Sequence, residues 1–215
     1  MKRIFDFLLS LFGLLITWPI IIFFMLLVYL EDRGNPIYLG RRVGRKGREF
    51  NMIKIRSMHI NAEKSGVDST SENDSRITKI GHLVRKFKID ELTQLINILF
   101  GQMSFVGPRP NVKRDTKLYT DLEKRLLSVI PGLTDYASIV FSDESFILKD
   151  KEDPDISYNQ LIRPWKSKLG LFYIERKNLF IDLCLIFITF IGLFSRKISL
   201  YMVYKLLKRN KAPIE

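Results

Sequence analysis

Residues 88–110 read KIDELTQLINILFGQMSFVGPRP, from Lys88 to Pro110. Leu92, Leu95, Ile96 and Leu99 recur at helical spacing and Gly101 stands where a helix would terminate. With Asp90 at an N-cap position, the stretch predicts a three-turn amphipathic helix. Two adjacent carboxylates, Asp90 and Glu91, would then open the helix, and Arg109 follows it between Pro108 and Pro110. Backbone N–H groups and the helix dipole favour negative charge at that end, so Asp90 is expected to be ionised at neutral pH and able to meet a phosphate or a metal ion. There it could act as nucleophile or metal ligand. The simpler alternative is that Asp90 only caps the helix and Glu91 is an ordinary first-turn acid. The flanking prolines hold Arg109 extended, which suits bidentate contact with phosphate and equally suits a structural salt bridge.

Toward the N-terminus, Ile37 to Val43 and Glu49 to Arg56 read as two strands around the turn Gly44-Arg45-Lys46-Gly47, making a hairpin. Alternation puts Met52, Lys54 and Arg56 on one face and Ile53 and Ile55 on the other. Lys54 and Arg56 would thus project side by side, as a diphosphate site needs; a charged edge strand facing water is the competing explanation. Arg41, Arg42, Arg45, Lys46 and Arg48 could bind lipid headgroups or face water. Residues 61–75, rich in Ser, Asn, Asp and Glu, read as a loop. A helix from Ile77 is expected to carry Leu83, Val84 and Phe87 inward and to bring Arg85 to the same pocket as Asp90.

From Ile4 to Leu30 the chain is apolar apart from Asp6, Ser10 and Thr17. As one helix this run of roughly 27 residues would extend about 40 Å, more than a bilayer core of about 30 Å. Pro19 near its middle removes a backbone donor, and cations flank both ends, Lys2 and Arg3 before and Arg33, Arg41 and Arg42 after, so charge does not choose an orientation. A helix that enters, bends at Trp18-Pro19 and leaves by the same face satisfies both facts; a kinked spanning helix is the alternative. The division expected is a membrane anchor over 1–33 and a membrane-associated domain over 34–215.

Lys and Arg outnumber Asp and Glu by 35 to 23, a net charge of +12, while 47% of residues are hydrophobic. That pairing suits an anionic membrane surface or phosphate-bearing ligands, with nucleic acid compatible on charge alone. The single cysteine, Cys184, has no intrachain partner, and His59 and His82 are too few for a Cys/His zinc site. Asp115 to Val129 reads as a charged helix, and Pro131-Gly132 as a turn before Leu133 to Phe141, expected to be partly extended. Asp143, Glu144, Asp150, Glu152, Asp153 and Asp155 form an acidic patch without calcium-loop spacing. Leu179 to Phe194 is a second apolar run, short for a span, expected to lie in the interface or pack on the domain. Walker and dinucleotide glycine motifs are absent.

Taken together, these motifs carry a resemblance over nearly the whole chain. Lys2-Arg3-Ile4-Phe5-Asp6, Pro19, residues 52–58 (MIKIRSM), residues 76–81 (RITKIG), Arg85, Asp90-Glu91-Leu92, Gln94-Leu95, Asn97, residues 103–110 (MSFVGPRP), Pro131-Gly132-Leu133-Thr134, Tyr173 and Asp182 resemble the bacterial sugar transferase family of small monotopic polyprenyl-phosphate phosphoglycosyl transferases. The resemblance implies an α+β, mostly helical monotopic membrane protein with an N-terminal re-entrant helix-break-helix and a β-hairpin beside the active site. It implies transfer of a sugar 1-phosphate from a UDP-sugar to undecaprenyl phosphate, with UMP released, at the cytoplasmic face of the bacterial plasma membrane, and no nucleic acid partner. Asp90 would be the nucleophile that forms a covalent phosphosugar intermediate, Glu91 its partner in holding Mg²⁺, and Lys54, Arg56, Arg85 and Arg109 the cations around the phosphates. Thr93 stands where the family commonly has proline, Ile130 where arginine is frequent and Tyr136 where tryptophan is. The competing class is a basic membrane adaptor without catalysis.

Overall fold

A computed structural model describes residues 1–62, 74–149 and 153–212. Most of the 61–75 loop, together with Asp150 and Glu152 of the acidic patch, lies outside the described residues. The first element, α1, is a single helix over Lys2–Asp32 with Pro19 inside it. The break expected at Trp18-Pro19 is therefore not an interruption of the helix. A mid-helix proline costs one hydrogen bond but can be carried by a bend, and here Thr17 Oγ1 donates back to the Gly13 carbonyl (2.7 Å), a bond of the kind that accompanies bending. Packing also holds both halves: Asp6 and Ser10 are buried before the proline, Ile21 and Val28 after it. The remaining faces, among them Leu8, Phe12, Leu15, Trp18 and Phe23, are exposed.

Strands β1 (Ile37–Val43) and β2 (Glu49–Ile55) form the expected antiparallel hairpin, with Ile37 opposite Ile55 and Val43 opposite Glu49. Its turn uses left-handed backbone at Lys46 (φ 58°) and Gly47 (φ 75°). Helix α2 (Lys79–Lys86) begins where the Thr78 side chain accepts from Gly81 N. Val84 is fully buried, but Leu83 and Phe87 are exposed, so only part of the inward face expected here is inward. Val84 joins Ile21, Val28 and Ile55 in one core cluster, which clamps the hairpin and α2 onto α1. On the opposite face of β2, Met52 packs with Leu95, Ile98 and Met103.

The three-turn helix expected from Asp90 is shorter and divided. Lys88 takes a left-handed conformation (φ 56°), Ile89–Glu91 make one 3-10 turn, and α3 proper runs over Gln94–Leu99. Lys88, not Asp90, stands at the N-cap of the 3-10 turn, and no side-chain cap bond forms there. The reason lies with β2, whose outer edge is bonded by side chains of this segment. Thr93 Oγ1 reaches the carbonyls of Ile53 (3.0 Å) and Asp90 (3.2 Å), and Asn97 accepts from Ile53 N (2.9 Å) and donates to the Asn51 carbonyl (2.8 Å). These groups act as a third strand would, satisfying backbone partners that an edge otherwise leaves to water.

Beyond Gly101 (φ 79°), β3 (Ser104–Val106) pairs in parallel with β4 (Gly132–Thr134). Between them, α4 (Lys113–Thr116) and a 3-10 stretch (Glu123–Ser128) replace the continuous charged helix expected over 115–129. Short helices α5 (Tyr136–Val140), α6 (Glu144–Ile147) and α7 (Pro154–Ser157) lead through a π-helical turn into α8 (Arg163–Arg176), α9 (Leu179–Gly192) and α10 (Arg196–Arg209). Leu133 to Thr134 is extended as expected, whereas Tyr136 onward is helical. The largest core cluster joins Val106, Tyr136, Ile139 and Tyr173 to one face of α9 and α10. The whole is a mixed helical and sheet protein dominated by helices.

Both ends of α1 are tied to this body. At the start, Lys2 Nζ meets Asp182 Oδ2 (2.5 Å), Tyr173 Oη (3.0 Å) and the Val106 carbonyl (2.9 Å), while Asp6 Oδ1 accepts from Phe105 N (3.1 Å). At the other end Asp32 binds Arg56 through both carboxylate oxygens (2.5 and 2.6 Å), and Glu31 accepts from Lys79 N (2.9 Å).

Candidate active site

The carboxylate pair sits where β2, the 3-10 turn and the segment after β3 converge. Lys54, near the end of β2, extends its ammonium to Glu91 Oε1 (3.1 Å) and Asp90 Oδ2 (3.3 Å). Arg109 Nη2 donates to the same Glu91 oxygen, and Nη1 lies 3.5 Å from the Leu133 carbonyl. Two glycines set this position. A Cβ on Gly132 would lie 2.1 Å from Gly107 N, so β4 can approach the β3 exit only without side chains, and Pro108-Arg109-Pro110 leaves from that crossing toward Glu91.

Burial alone would disfavour the ionised form of Glu91, but the Arg109 and Lys54 charges outweigh it and hold the carboxyl well below the usual carboxylate range. Arg85 is largely enclosed; burial weakens its hold on the proton, opposed by attraction to Asp90, Asp74 and Glu91. It therefore contributes a third positive charge near the pair. Asp90 is only 6% exposed, and its Oδ1 is buried without a hydrogen-bond partner among the described residues. Six other buried side-chain atoms are likewise without a partner among the described residues, both amide atoms of Gln94 included, but Asp90 Oδ1 is the carboxylate oxygen of that set and lies among cations.

Of the residues expected at the site, Asp90, Glu91, Lys54 and Arg109 come together, and Arg85 shares their electrostatic environment. Arg56 does not join them: β2 ends at Ile55, and the Arg56 guanidinium turns to Asp32 and to the Asn35 carbonyl (2.6 Å). Trp18 and Pro19 lie within α1, with the Trp18 side chain about half exposed. Thr93 and Asn97 have positioning roles that sequence spacing did not announce. The available signal was polarity at buried helix positions: Gln94 and Asn97 are fully buried beside Leu95 and Ile98. On the far side of Arg109 a small pocket of ≈ 40 Å³ is bordered by Asn111, Tyr119, Asp135 and Tyr158. Asp135 there is buried, which raises its carboxyl pKa despite a hydrogen bond from Ser138 N.

Among the described residues no group of three or more His, Cys, Asp or Glu side chains gathers as a metal site. The donor set still fits Mg²⁺, which is commonly held by one or two carboxylates together with substrate phosphates, and Asp90 Oδ1 is a hard oxygen with no other partner.

Residues 1–196 match the family model for bacterial sugar transferases. The chain belongs to the bacterial sugar transferase family. Among relatives of this family, the chain is 32% identical over 203 residues to the exopolysaccharide production protein ExoY of Rhizobium meliloti, covering 87% of this chain and 83% of that one. It is 43% identical over 133 residues to a Bacillus subtilis protein provisionally named an undecaprenyl-phosphate N-acetylgalactosaminyl 1-phosphate transferase, covering 62% of this chain and 70% of the relative. It is 31% identical over 202 residues to the UDP-glucose:undecaprenyl-phosphate glucose-1-phosphate transferase of Xanthomonas campestris pv. campestris, covering 91% of this chain but only 39% of that longer protein. As a bacterial sugar transferase, the chain carries its Asp-Glu pair inside the matched region.

Proposed function

We propose that this chain is a phosphoglycosyl transferase that moves a sugar 1-phosphate from a UDP-sugar to undecaprenyl phosphate and releases UMP. The observation that carries the reading is the unpartnered, buried Asp90 Oδ1 within reach of a cation cluster. In the first displacement an Asp90 carboxylate oxygen attacks the β-phosphorus of the donor, the bond from that phosphorus to the bridging oxygen breaks, and UMP departs with the electron pair. In the second, a phosphate oxygen of undecaprenyl phosphate attacks the same phosphorus and the Asp90 carboxylate leaves. Attack by an anion on an anionic centre is slow unless cations offset the charge, and Lys54, Arg85 and Arg109 do so. Arg109 and Lys54 can exchange part of their contact with Glu91 for donor phosphate oxygens. Mg²⁺ held by Asp90 and Glu91 would neutralise phosphate charge and orient the donor.

Membrane association follows from α1, which is 31 residues long and exposes an apolar surface along most of its length. A re-entrant course in the cytoplasmic leaflet is supported by Lys2 and Asp32 both binding one body: a helix crossing to the far side would drag one of these charged ends away from its partner. On this reading residues 1–33 anchor a catalytic unit over 34–215 at the cytoplasmic surface.

The test is UMP release by purified protein with undecaprenyl phosphate, Mg²⁺ and a panel of UDP-sugars. At least one donor should give Mg²⁺-dependent UMP, and Asp90→Asn should abolish it. Full turnover by Asp90→Asn would remove the covalent mechanism; no UMP from any donor would favour the adaptor. Single-cysteine labels near residues 2 and 34, in a Cys184-free background, should both react from the cytosolic side.

A further inference from the structure

Away from the carboxylate pair, α9 and α10 enclose a groove of ≈ 540 Å³. Its walls include Phe187, Ile188, Met202 and Leu206, and Lys205, Lys208 and Arg209 border it. The bordering cations have aromatic neighbours: Lys205 Nζ lies 4.6 Å from the Tyr201 ring centroid, and the Arg209 guanidinium carbon 5.5 Å from that of Phe180. Arg196 at the start of α10 pairs with Asp143, but among the described residues no ion pair engages Lys205, Lys208 or Arg209. The sequence explains why. From Leu183 to Ile214 there is no Asp or Glu, against Arg196, Lys197, Lys205, Lys208, Arg209 and Lys211.

The groove opens beside an apolar stripe. Phe180, Leu183, Phe187, Phe190 and Phe194 recur at helical spacing along α9 and its end, and each is at least 47% exposed. A polyanion such as nucleic acid would answer the cations and leave this stripe in water. An uncharged apolar partner would cover the stripe and leave the cations without counter-charge. An amphiphile with an anionic head and a hydrocarbon tail satisfies both.

We propose that the α9–α10 groove seats an anionic phospholipid of the bilayer, with an acyl chain against Phe187, Ile188 and Met202 and the phosphate among Lys205, Lys208 and Arg209. The proposal rests on the membrane-surface reading above and adds a lipid site to it. Such a site fixes the rotation of the body about α1, because the start of α1 is already joined to α9 through Lys2 and Asp182.

The only cysteine in the chain reports on this groove, since Cys184 is part of its lining and partly exposed. Full-length protein is placed in bilayer nanodiscs of phosphatidylcholine with or without phosphatidylglycerol, and the rate of maleimide alkylation of Cys184 is measured. Phosphatidylglycerol should slow alkylation several-fold. The K205Q/K208Q/R209Q variant should lose most of that difference, because each cation contributes about five-fold to partition onto an anionic surface. K208Q alone, at an exposed position, should lose part of it and covers the case in which the triple variant misfolds. Equal rates in the two lipids, or a phosphatidylglycerol effect undiminished in a folded triple variant, would overturn the proposal. So would equal protection in lipid-free micelles by inorganic phosphate or by a single-stranded oligonucleotide. Co-sedimentation with vesicles and UMP release by the wild type separate the two levels: failure of co-sedimentation refutes the membrane reading, whereas binding and turnover with lipid-indifferent Cys184 refute the groove alone.

Discussion

Replacing Asn97 by alanine should loosen the hairpin that carries Lys54. The Asn97 side chain is fully buried and makes hydrogen bonds to Ile53 N (2.9 Å), the Asn51 carbonyl (2.8 Å) and Gln102 Oε1 (2.6 Å). Alanine leaves the Ile53 amide, which is partly buried, without its acceptor, at a cost of about 1–3 kcal/mol. The Asn51 carbonyl is better able to rehydrate, because Asn51 is exposed, and adds about 1 kcal/mol or less. A loss of about 1–4 kcal/mol follows, and at about 2–4 °C per kcal/mol for a chain of this size the melting temperature should fall by about 2–16 °C. Differential scanning fluorimetry in detergent micelles measures the fall, and UMP release below the new transition tests whether Lys54 still reaches the carboxylates. The two readouts should decline together, because Lys54 follows Ile53 directly on β2. A melting temperature within about 2 °C of wild type, with turnover intact, would refute the claim that Asn97 holds the edge of β2.

Arg109→Ala should lower turnover by about 10²-fold, as removal of one charge-stabilising donor commonly does. It should also raise the pH at which the protein unfolds in acid. A depressed Glu91 pKa contributes stability above the usual value of 4.5 that is lost as pH falls through the folded value, and removing Arg109 brings that value up; unchanged acid titration by circular dichroism would contradict it. Gly132→Ala should destabilise the β3–β4 crossing by about 1–3 kcal/mol or more, since the added carbon meets Gly107 N at 2.1 Å, and a thermal melt reads this directly. Lys2→Met should cost about 1–3 kcal/mol in the same measurement, because Asp182 is left buried without its counter-charge, with Lys2→Arg retaining most of the stability; solvent reaching Lys2, which is 39% exposed, weakens the pair.

The hairpin and the carboxylate pair were legible from the sequence, because alternation and helical spacing operate over enough residues to show a period; Lys54, Arg85 and Arg109 were placed around the pair by the family resemblance. The β3–β4 pair was not legible. Three residues on each strand, joined across a long interval, leave no alternation to read, and only the glycines at 107 and 132 mark the crossing. Helix α8 was missed because Pro164 follows its first residue and charged positions interrupt its apolar ones. Arg56 shares the β2 alternation with Lys54, yet a strand that ends one residue earlier frees it to turn toward Asp32, and a pattern of faces carries no information about where a strand ends. For Asp90 the cations were anticipated but the helix end was not: it stands in a 3-10 turn whose N-cap is Lys88, and Lys54 lies beside it. Helix α1 stays one helix through Trp18-Pro19 because the effect of a proline is local, while Ile21 and Val28 keep packing on the body past it.

The attachment of α1 at both ends has a practical meaning for anyone seeking a water-soluble version of this enzyme. Residues of α1 cover Ile55 and Val84, Gly13 lies against Leu95, and Asp32 neutralises Arg56. Trimming the hydrophobic segment would uncover Ile55, Val84 and Leu95 and leave raw apolar surface there. Solubilisation should therefore proceed by repainting the outward residues of α1, such as Leu8, Phe12, Leu15 and Phe23, while its inward residues and both charged ends stay as they are.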